Sequence, residues 1–459
     1  MKPESAGKGR TETAWRVGRA PGALPVLGHV LPIARDPLGF LASLSAHGDL
    51  LEVRVGPWRG YVVCHPELVS QVLLDDRTFD KGGVIFEKAR EFVGNGLVSC
   101  PHADHRRQRR LIQPTFHRDR MPAYAAVMSD HIDQVTGSWH DGQLIVVGRE
   151  MYTVTAGVLC TSLFGTSLAE TEISKLEDSV NDIMIGSARQ ILLPSWLHKL
   201  PTQARRRYVR ANAHLSTVVH RIIDGYQSGS LDDVGMLSIL LAAREEDGIG
   251  ALSDTEVYDQ VVTILLGGID TTTEVLAGAC HLLSRHPHIQ HQLHTEVSAV
   301  LGGRAARLQD VPKLKMTGRV ITETLRLYPP VWVLTRTVTR DTELAGQHLP
   351  SGTTVVVSSY LLHHRADVFA DPDTFRPERW LTQASPRPSS GYLPFSTGAR
   401  QCIGNDFGTI EATLALATIT DRWHLTAPAD TAPVKTVTRL VLGHRGPLRL
   451  HRRTALGDG

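Results

Sequence analysis

One cysteine near the C-terminal end stands in a setting built for chemistry. In Phe395-Ser-Thr-Gly398-Ala-Arg400-Gln-Cys402-Ile-Gly404 the thiol lies between two glycines and two residues after an arginine. Gly398 and Gly404 carry no side chains, so the backbone can approach a flat group and aim N–H donors at the sulfur. A helix starting just after Gly404 would add the positive end of its dipole, which favours a thiolate. These conditions suit a thiolate bound to the metal of a large planar cofactor, whose potential such hydrogen bonds tune. A lone cysteine is more often a buried, inert residue. The whole spacing F-x-x-G-x-R-x-C-x-G is far more specific than the cysteine alone.

Three other constellations could serve that centre. Gly267-Gly268-Ile269-Asp270-Thr271-Thr272 interrupts a long apolar helical run. Each glycine should cost a helix about 1 kcal/mol relative to alanine. An acid and an alcohol among apolar residues are also costly unless hydrogen-bonded. Both costs make sense if the helix crosses over a bound reactant, with the glycines opening a groove and Asp270 and Thr271 managing protons and water. The plainer alternative is a kinked helix with Thr271 bonded back to its own backbone. Glu323 and Arg326 share a helix face at i, i+3, as do His105 and Arg109 at i, i+4. His105 and Arg109 are read as pointing inward, and Arg106, Arg107 and Arg110 as facing solvent.

The elements that must hold these groups are mainly helical. From His105 to about Asp310 apolar residues recur at the helical period. Ser253-Asp-Thr-Glu256 opens a long helix with a capping box, and that helix runs through Val261–Leu283 to His286-Pro287. Further helices are predicted over 287–300, 317–327 and 405–423, with shorter ones over 38–47 and from His65. Segments 51–55 and 60–64 read as a hairpin, and 335–339, 343–349 and 353–358 as short strands. Residues 433–451 read as a hairpin around Gly443 and Gly446. Asp80–Cys100, with Gly82, Gly83, Gly94 and Gly96, reads as a long functional loop. Residues 1–20 are expected to be a disordered tail, because they are polar and carry no signal-peptide apolar run. With no linker or internal repeat, 21–459 is expected to be a single domain.

Composition narrows the function classes. The chain has 459 residues, 42% of them hydrophobic and 21% charged. Its 49 Lys+Arg against 47 Asp+Glu leave a net charge of +2, which offers no footprint for nucleic acid. The five cysteines, Cys64, Cys100, Cys160, Cys280 and Cys402, are odd in number and never closely spaced. They point away from disulfides or structural zinc and toward a reducing compartment. No apolar stretch has transmembrane length, so a cytoplasmic protein without a membrane anchor is expected. His286, His288, His291 and His294 include helical pairs but lack a completing ligand for zinc. Asp75-Asp76 and Glu245-Glu246-Asp247 read as solvated turns rather than magnesium sites.

The cysteine loop resembles the haem-binding loop of the cytochrome P450 family. Glu323-x-x-Arg326, a Pro-Pro-Val turn, Phe375-Arg-Pro-Glu-Arg379-Trp380 and the Cys402 loop then follow in that family's order. The resemblance covers about Pro21 to His451 and implies the P450 fold, mainly α with a smaller β-rich part. It implies haem b, with Cys402 as the axial ligand of its iron and Phe395 and Gly404 framing the loop. His105, Arg109, Arg336 and Arg400 are the expected partners of the haem carboxylates. Arg379 would complete a structural network with Glu323 and Arg326. Thr271 and Asp270 would be catalytic, assisting O2 activation and proton delivery.

The expected pocket comprises Val84, Ile85, Phe86, Leu97, Leu265, Gly267, Gly268, Trp332, Val333 and Leu334, all uncharged, which suits a hydrocarbon-like substrate. The resemblance extends to actinobacterial P450s of sesquiterpene pathways. It implies oxidation of a methyl group of a cyclic sesquiterpene hydrocarbon through the alcohol to the aldehyde, in antibiotic or terpenoid biosynthesis. Another terpene, a steroid or a fatty acid would suit the same residues. Electrons are expected from a separate ferredoxin and its reductase, and the protein is expected to be a monomer. A haem-thiolate sensor or carrier without turnover is the rival class. The Asp270/Thr271 pair argues against it, because a carrier needs no proton delivery.

Overall fold

The computed structural model describes residues 15–192, 201–229, 235–242, 252–381, 390–428 and 435–453. Its described helices are α1 (Val30–Arg35), α2 (Pro37–Leu44), α3 (Pro66–Leu74), α4 (Val84–Val93), α5 (His102–Ile112), α6 (Met121–Gly137), α7 (Val147–Phe164) and α8 (Glu170–Leu192). They continue with α9 (Gln203–Gln227), α10 (Met236–Ala242), α11 (Asp254–Arg285), α12 (Pro287–Leu301), α13 (Lys315–Leu327), α14 (Ser359–His363) and α15 (Asn405–Arg422). Thirteen short strands complete the described residues, and the molecule is mainly helical with a smaller β-rich side.

The helix α11 is the axis of the structure. Its start is set by the predicted capping box: Ser253 Oγ accepts the Glu256 N–H at 3.2 Å, and Glu256 Oε2 accepts the Ser253 N–H at 2.9 Å. Its end falls at His286, where Pro287 removes the next donor and opens α12. Apolar residues surround it on most sides, so it packs against α7, α13 and α15 rather than presenting one face to water. By length and composition α11 could cross a membrane, but 83% of its most apolar window is buried inside the protein.

The β-rich side supplies a second, smaller core. Six strands run β1-β2-β3-β9-β6-β4, where β1 is Val17–Arg19, β2 Leu50–Val55, β3 Trp58–Val63, β4 Phe79–Lys81, β6 Leu334–Val338 and β9 Thr354–Val357. The antiparallel pairing of β4 with β6 sets Lys81 directly opposite Arg336. Like charges across a ladder repel, so this register needs a reason.

Four expectations are corrected. Strand β1 starts at Val17, inside the segment expected to be a disordered tail, while residues 1–14 lie outside the described residues. The stretch from Asp80 to Cys100 is not one loop. Gly83, at φ +78°, turns the chain out of β4 into α4, and only residues after Gly94 are irregular. Phe86 and Val93, seven residues apart, share one helix face, but the four glycines around the segment masked that spacing. Residues 343–349 form two strands, β7 (Thr342–Leu344) and β8 (Gln347–Leu349), because Ala345 and Gly346 both take positive φ. At the C-terminal end β11 (Lys435–Thr438) pairs with β12 (Leu442–Arg445), so the turn precedes Gly443. Strand β13 (Pro447–Arg452) joins β10 (Trp423–Thr426) and β5 (Leu144–Val146) instead. Position 443 lies within β12, and a Cβ there would sit 2.6 Å from Glu274 Oε1, so only glycine fits.

Candidate active site

Between α11 and the Cys402 loop the protein encloses a cavity of about 290 Å³. Gly267, Gly268 and Thr271 line it from α11, and Cys402, Gly404 and Gly408 from the opposite wall. Most of α11 is buried, yet Gly267 is open, so the opening faces the protein interior rather than bulk solvent. Two glycines facing two glycines across a gap leave room for a flat group.

The Cys402 loop holds its shape through its own backbone. The Cys402 N–H donates to the Phe395 carbonyl at 2.9 Å. Gly398, at φ +72°, passes so close to α3 that a Cβ would lie 2.7 Å from the Leu73 carbonyl oxygen. The sulfur opens into the cavity but is ringed by protein. Desolvation raises the thiol pKa, while the Gly404 N–H, Arg109 and Lys81 pull it down. A cation on the sulfur would reverse the first effect outright.

Basic side chains crowd one end of the same cavity. Lys81, His105, Arg109 and Arg400 line it, and Arg336 is 1% exposed beside Lys81. None of the three Arg336 guanidinium nitrogens has a hydrogen-bond partner. Burial, then Arg400, lowers the Arg336 pKa to about 10, with Asp80 and Asp76 opposing. Burial also depresses Lys81 strongly, aided by Arg336 and Arg400, and burial then Arg400 takes His105 to about 3. A buried cation cluster with an orphaned guanidinium is an incomplete arrangement, and two carboxylates from a bound group would complete it. The residues present therefore fit haem: a thiol on one wall, glycines on both faces and unspent positive charge at one edge.

The cations are not equally free. Arg400 donates to Asp80 Oδ1 and to the Cys100 carbonyl, both at 2.9 Å, and its Nε lies 3.4 Å from Asp76 Oδ2. Arg109 donates to the Gln401 carbonyl at 2.7 Å, bracing the cysteine loop. Arg107, read as solvent-facing, pairs with Glu256 at the start of α11, whereas Arg106 and Arg110 are exposed.

On α11 the two polar residues diverge. Thr271 faces the cavity, with its hydroxyl donating to the Gly267 carbonyl at 2.6 Å. Asp270 is buried away from the lining, and its charge helps to raise the Tyr152 pKa on α7, after burial. Glu323, fully buried, accepts from Arg326 Nε (3.0 Å) and Nη2 (2.9 Å), Arg379 Nε (2.9 Å), Trp380 Nε1 (2.8 Å) and the Arg376 N–H (3.1 Å).

Of the expected pocket residues, Leu97, Gly267, Gly268 and Leu334 line the cavity. Six do not. Val84, Ile85 and Phe86 belong to α4, where Phe86 is buried under Lys81. Leu265 is buried in the helical core and does not line the cavity. Trp332 and Val333 pack on the β-side core, and Trp332 donates to the Arg439 carbonyl. Lys81, Leu159, Thr263 and Ile264 line the cavity and escaped the sequence reading. The i−4 spacing of Thr263 and Ile264 from Gly267 and Gly268 was the available signal; Leu159 carried none.

Among the described residues no cluster of three metal-ligating side chains occurs, and His294 is instead bonded to the Thr420 carbonyl. Asp76 is engaged with His102 and Arg400, and Glu245–Asp247 lie outside the described residues.

Comparison with known proteins gives a consistent result. The chain is 43% identical over 443 residues to "Pentalenene oxygenase" of Streptomyces avermitilis, covering 96% of this chain and 98% of that protein. It is 46% identical over 439 residues to "Cyclooctatin synthase" of Streptomyces melanosporofaciens, covering 95% of each. "Cyclooctat-9-en-7-ol 5-monooxygenase" of the same organism is 43% identical over 416 residues, covering 90% of each. A sequence model of the family described as "Cytochrome P450" matches residues 19–450, from the end of β1 into β13. The chain belongs to the cytochrome P450 family.

Proposed function

We propose that this P450 monooxygenase oxidises a cyclic terpene, and that Cys402 would hold the iron of haem b through its thiolate while Arg336 would pair with a haem carboxylate. When bound, the haem supplies reductive activation of O2, and thiolate ligation favours O–O cleavage. The protein's own residues do the rest. Lys81, Arg336 and Arg400 hold the negative edge of the group. Arg109 braces the cysteine loop through two carbonyls. Thr271 presents a hydroxyl that can leave the Gly267 carbonyl to hold water or pass a proton, and Asp270, buried behind it, would assist by relaying a proton taken from water. Leu97, Leu159, Leu163, Ile264 and Val275 exclude water from the reacting carbon.

The observation that carries this reading is the cavity with a thiol on one wall, Thr271 on the other and, across the sheet from its lining residue Lys81, an unpartnered buried arginine. The reduced protein should give the family's CO absorption band, and Cys402→Ser should abolish it. Absence of that band from the haem-loaded wild type would overturn the assignment.

For the substrate, relatives bearing pentalenene and cyclooctatin names favour a polycyclic terpene. The finer form is stepwise oxidation of a methyl group of pentalenene, through the alcohol to pentalen-13-al. A diterpenoid that already bears an alcohol is a second reading, favoured by the cyclooctat-9-en-7-ol relative. Product analysis with each substrate separates the two.

Electrons would come from a ferredoxin, as a soluble partner of a cytoplasmic monomer. A surface cleft joins Arg106, Arg110, His102 and His117 to Gly398 and Ala399 of the cysteine loop, which suits an acidic partner. Turnover that is fastest with a ferredoxin system, and that falls with added salt, is the expected result.

A further inference from the structure

Residues 21–27, Pro-Gly-Ala-Leu-Pro-Val-Leu, carry no charge and no polar side chain, and every one of them is exposed. Val26 is 91% exposed, Leu27 51% and Leu24 42%, and the helix α1 that follows buries none of its residues. Single apolar side chains in water are ordinary, but an unbroken run of them on a fixed loop is not. This loop is fixed. Leu24 and Gly28 exchange backbone hydrogen bonds of 2.8 and 2.9 Å, and the Gly56 N–H donates to the Leu27 carbonyl at 3.1 Å. The buried His29 ring accepts the Arg54 N–H at Nδ1 and donates from Nε2 to the Ala20 carbonyl, both at 3.1 Å. Val26 is held at φ +62°, a region that β-branched residues rarely adopt and that carries strain. The fold thus holds a strained apolar tip out in water, where core packing gives it no purpose.

Basic side chains stand beside that tip. Gly28 pairs with Val55 at the end of β2, and a Cβ on Gly28 would lie 2.8 Å from the Arg54 Cβ. Arg54 faces Arg59 across the β2–β3 ladder, and Arg19 stands opposite Glu52. All three arginines share the one carboxylate of Glu52, which is buried, while their own side chains are exposed. The outward face beside the loop is therefore positive. We propose that this loop and its arginines are a site for reversible docking on an anionic lipid bilayer. Leu24, Val26 and Leu27 enter the boundary between headgroups and acyl chains, and Arg19, Arg54 and Arg59 meet lipid phosphates. A narrow apolar tip with a basic rim fits an interface that yields to it, whereas a protein partner needs a broad complementary surface. The site lies outside the haem cavity and does not depend on which substrate the protein oxidises.

The test is co-sedimentation of the haem-loaded full chain with sucrose-filled vesicles, either an equal mixture of phosphatidylglycerol and phosphatidylcholine or phosphatidylcholine alone. At low salt the wild type should partition about tenfold more strongly onto the mixed vesicles, and about 0.5 M salt should remove the difference. Val26→Asp should weaken binding to the mixed vesicles about tenfold. Aspartate takes the left-handed conformation more readily than valine, so the melting temperature should not fall. Arg19→Gln combined with Arg59→Gln should erase the preference for the anionic lipid. Leu144→Asp, at an exposed leucine elsewhere, should change neither property. Absence of partition onto the mixed vesicles, equal partition onto both compositions, or a Val26→Asp variant that binds like wild type overturns the proposal. If partition is absent and the wild type forms a dimer that Val26→Asp dissolves, the tip is instead a contact between two copies.

Discussion

Thr271 is satisfied by its own helix, so its removal should disturb the fold little. Thr271→Ala should leave the melting temperature within a degree or two, while the peroxide released per NADPH consumed rises several-fold at the expense of product. A variant that stays fully coupled would remove Thr271 from proton management. Arg336 is the opposite case, a buried cation with nothing to hold. Arg336→Met should stabilise the haem-free protein by about 1–3 kcal/mol, because an unpaired buried charge is lost. The same variant should release haem faster in transfer to apomyoglobin. If both properties fall together, the arginine is structural rather than reserved for an anion.

At the scale of elements, the segment between α13 and the cysteine loop hangs on one carboxylate. Glu323 accepts from three side chains and one backbone N–H drawn from residues 326–380. Arg326 in turn donates to the His363, Pro372 and Thr374 carbonyls. Glu323→Gln halves the acceptor capacity and leaves Arg326 and Arg379 as uncompensated buried charges. It should cost about 3–5 kcal/mol in urea unfolding. A loss below 1 kcal/mol would show that the surrounding carbonyls hold the guanidinium groups unaided. The pair Glu323/Arg326 was legible from its spacing and Arg379 from the family resemblance, but the other two partners were not. Trp380 and Arg376 lie more than fifty residues away, and nothing in their neighbourhood marks them as ligands of that acid.

At the scale of the whole molecule, acid should loosen the junction between the two cores through His363. Its Nδ1–H donates to the Arg326 carbonyl at 3.0 Å, and its Nε2 accepts the Leu393 N–H at 2.8 Å. This neutral ring is fully enclosed, and burial lowers its pKa to about 3. The unfolded chain, with an ordinary histidine near 6.5, binds the proton more readily. The stabilisation is therefore complete above about pH 6.5 and is lost as pH falls toward 3. His363→Asn should be less stable than wild type at pH 7.5, with the gap narrowing by about 1.4 kcal/mol per pH unit below pH 6. A gap that stays constant from pH 7.5 to 5 would rule out this titration.

Local chemistry was readable in the chain itself. The capping box, the glycine pair inside an apolar helix and the Cys402 loop each act through residues close in sequence, so their spacing alone carried the physics. The resemblance that carried the family and its fold class rested on those spacings in order. What only tertiary structure decided was which side chains share a space. It opposed Lys81 to Arg336 by strand register, left that arginine without a partner and turned Leu265 and Trp332 away from the cavity. It also brought Leu159 in from a helix a hundred residues distant and set Thr263 against Gly96. Those outcomes depend on long-range packing and pairing, which no local pattern encodes.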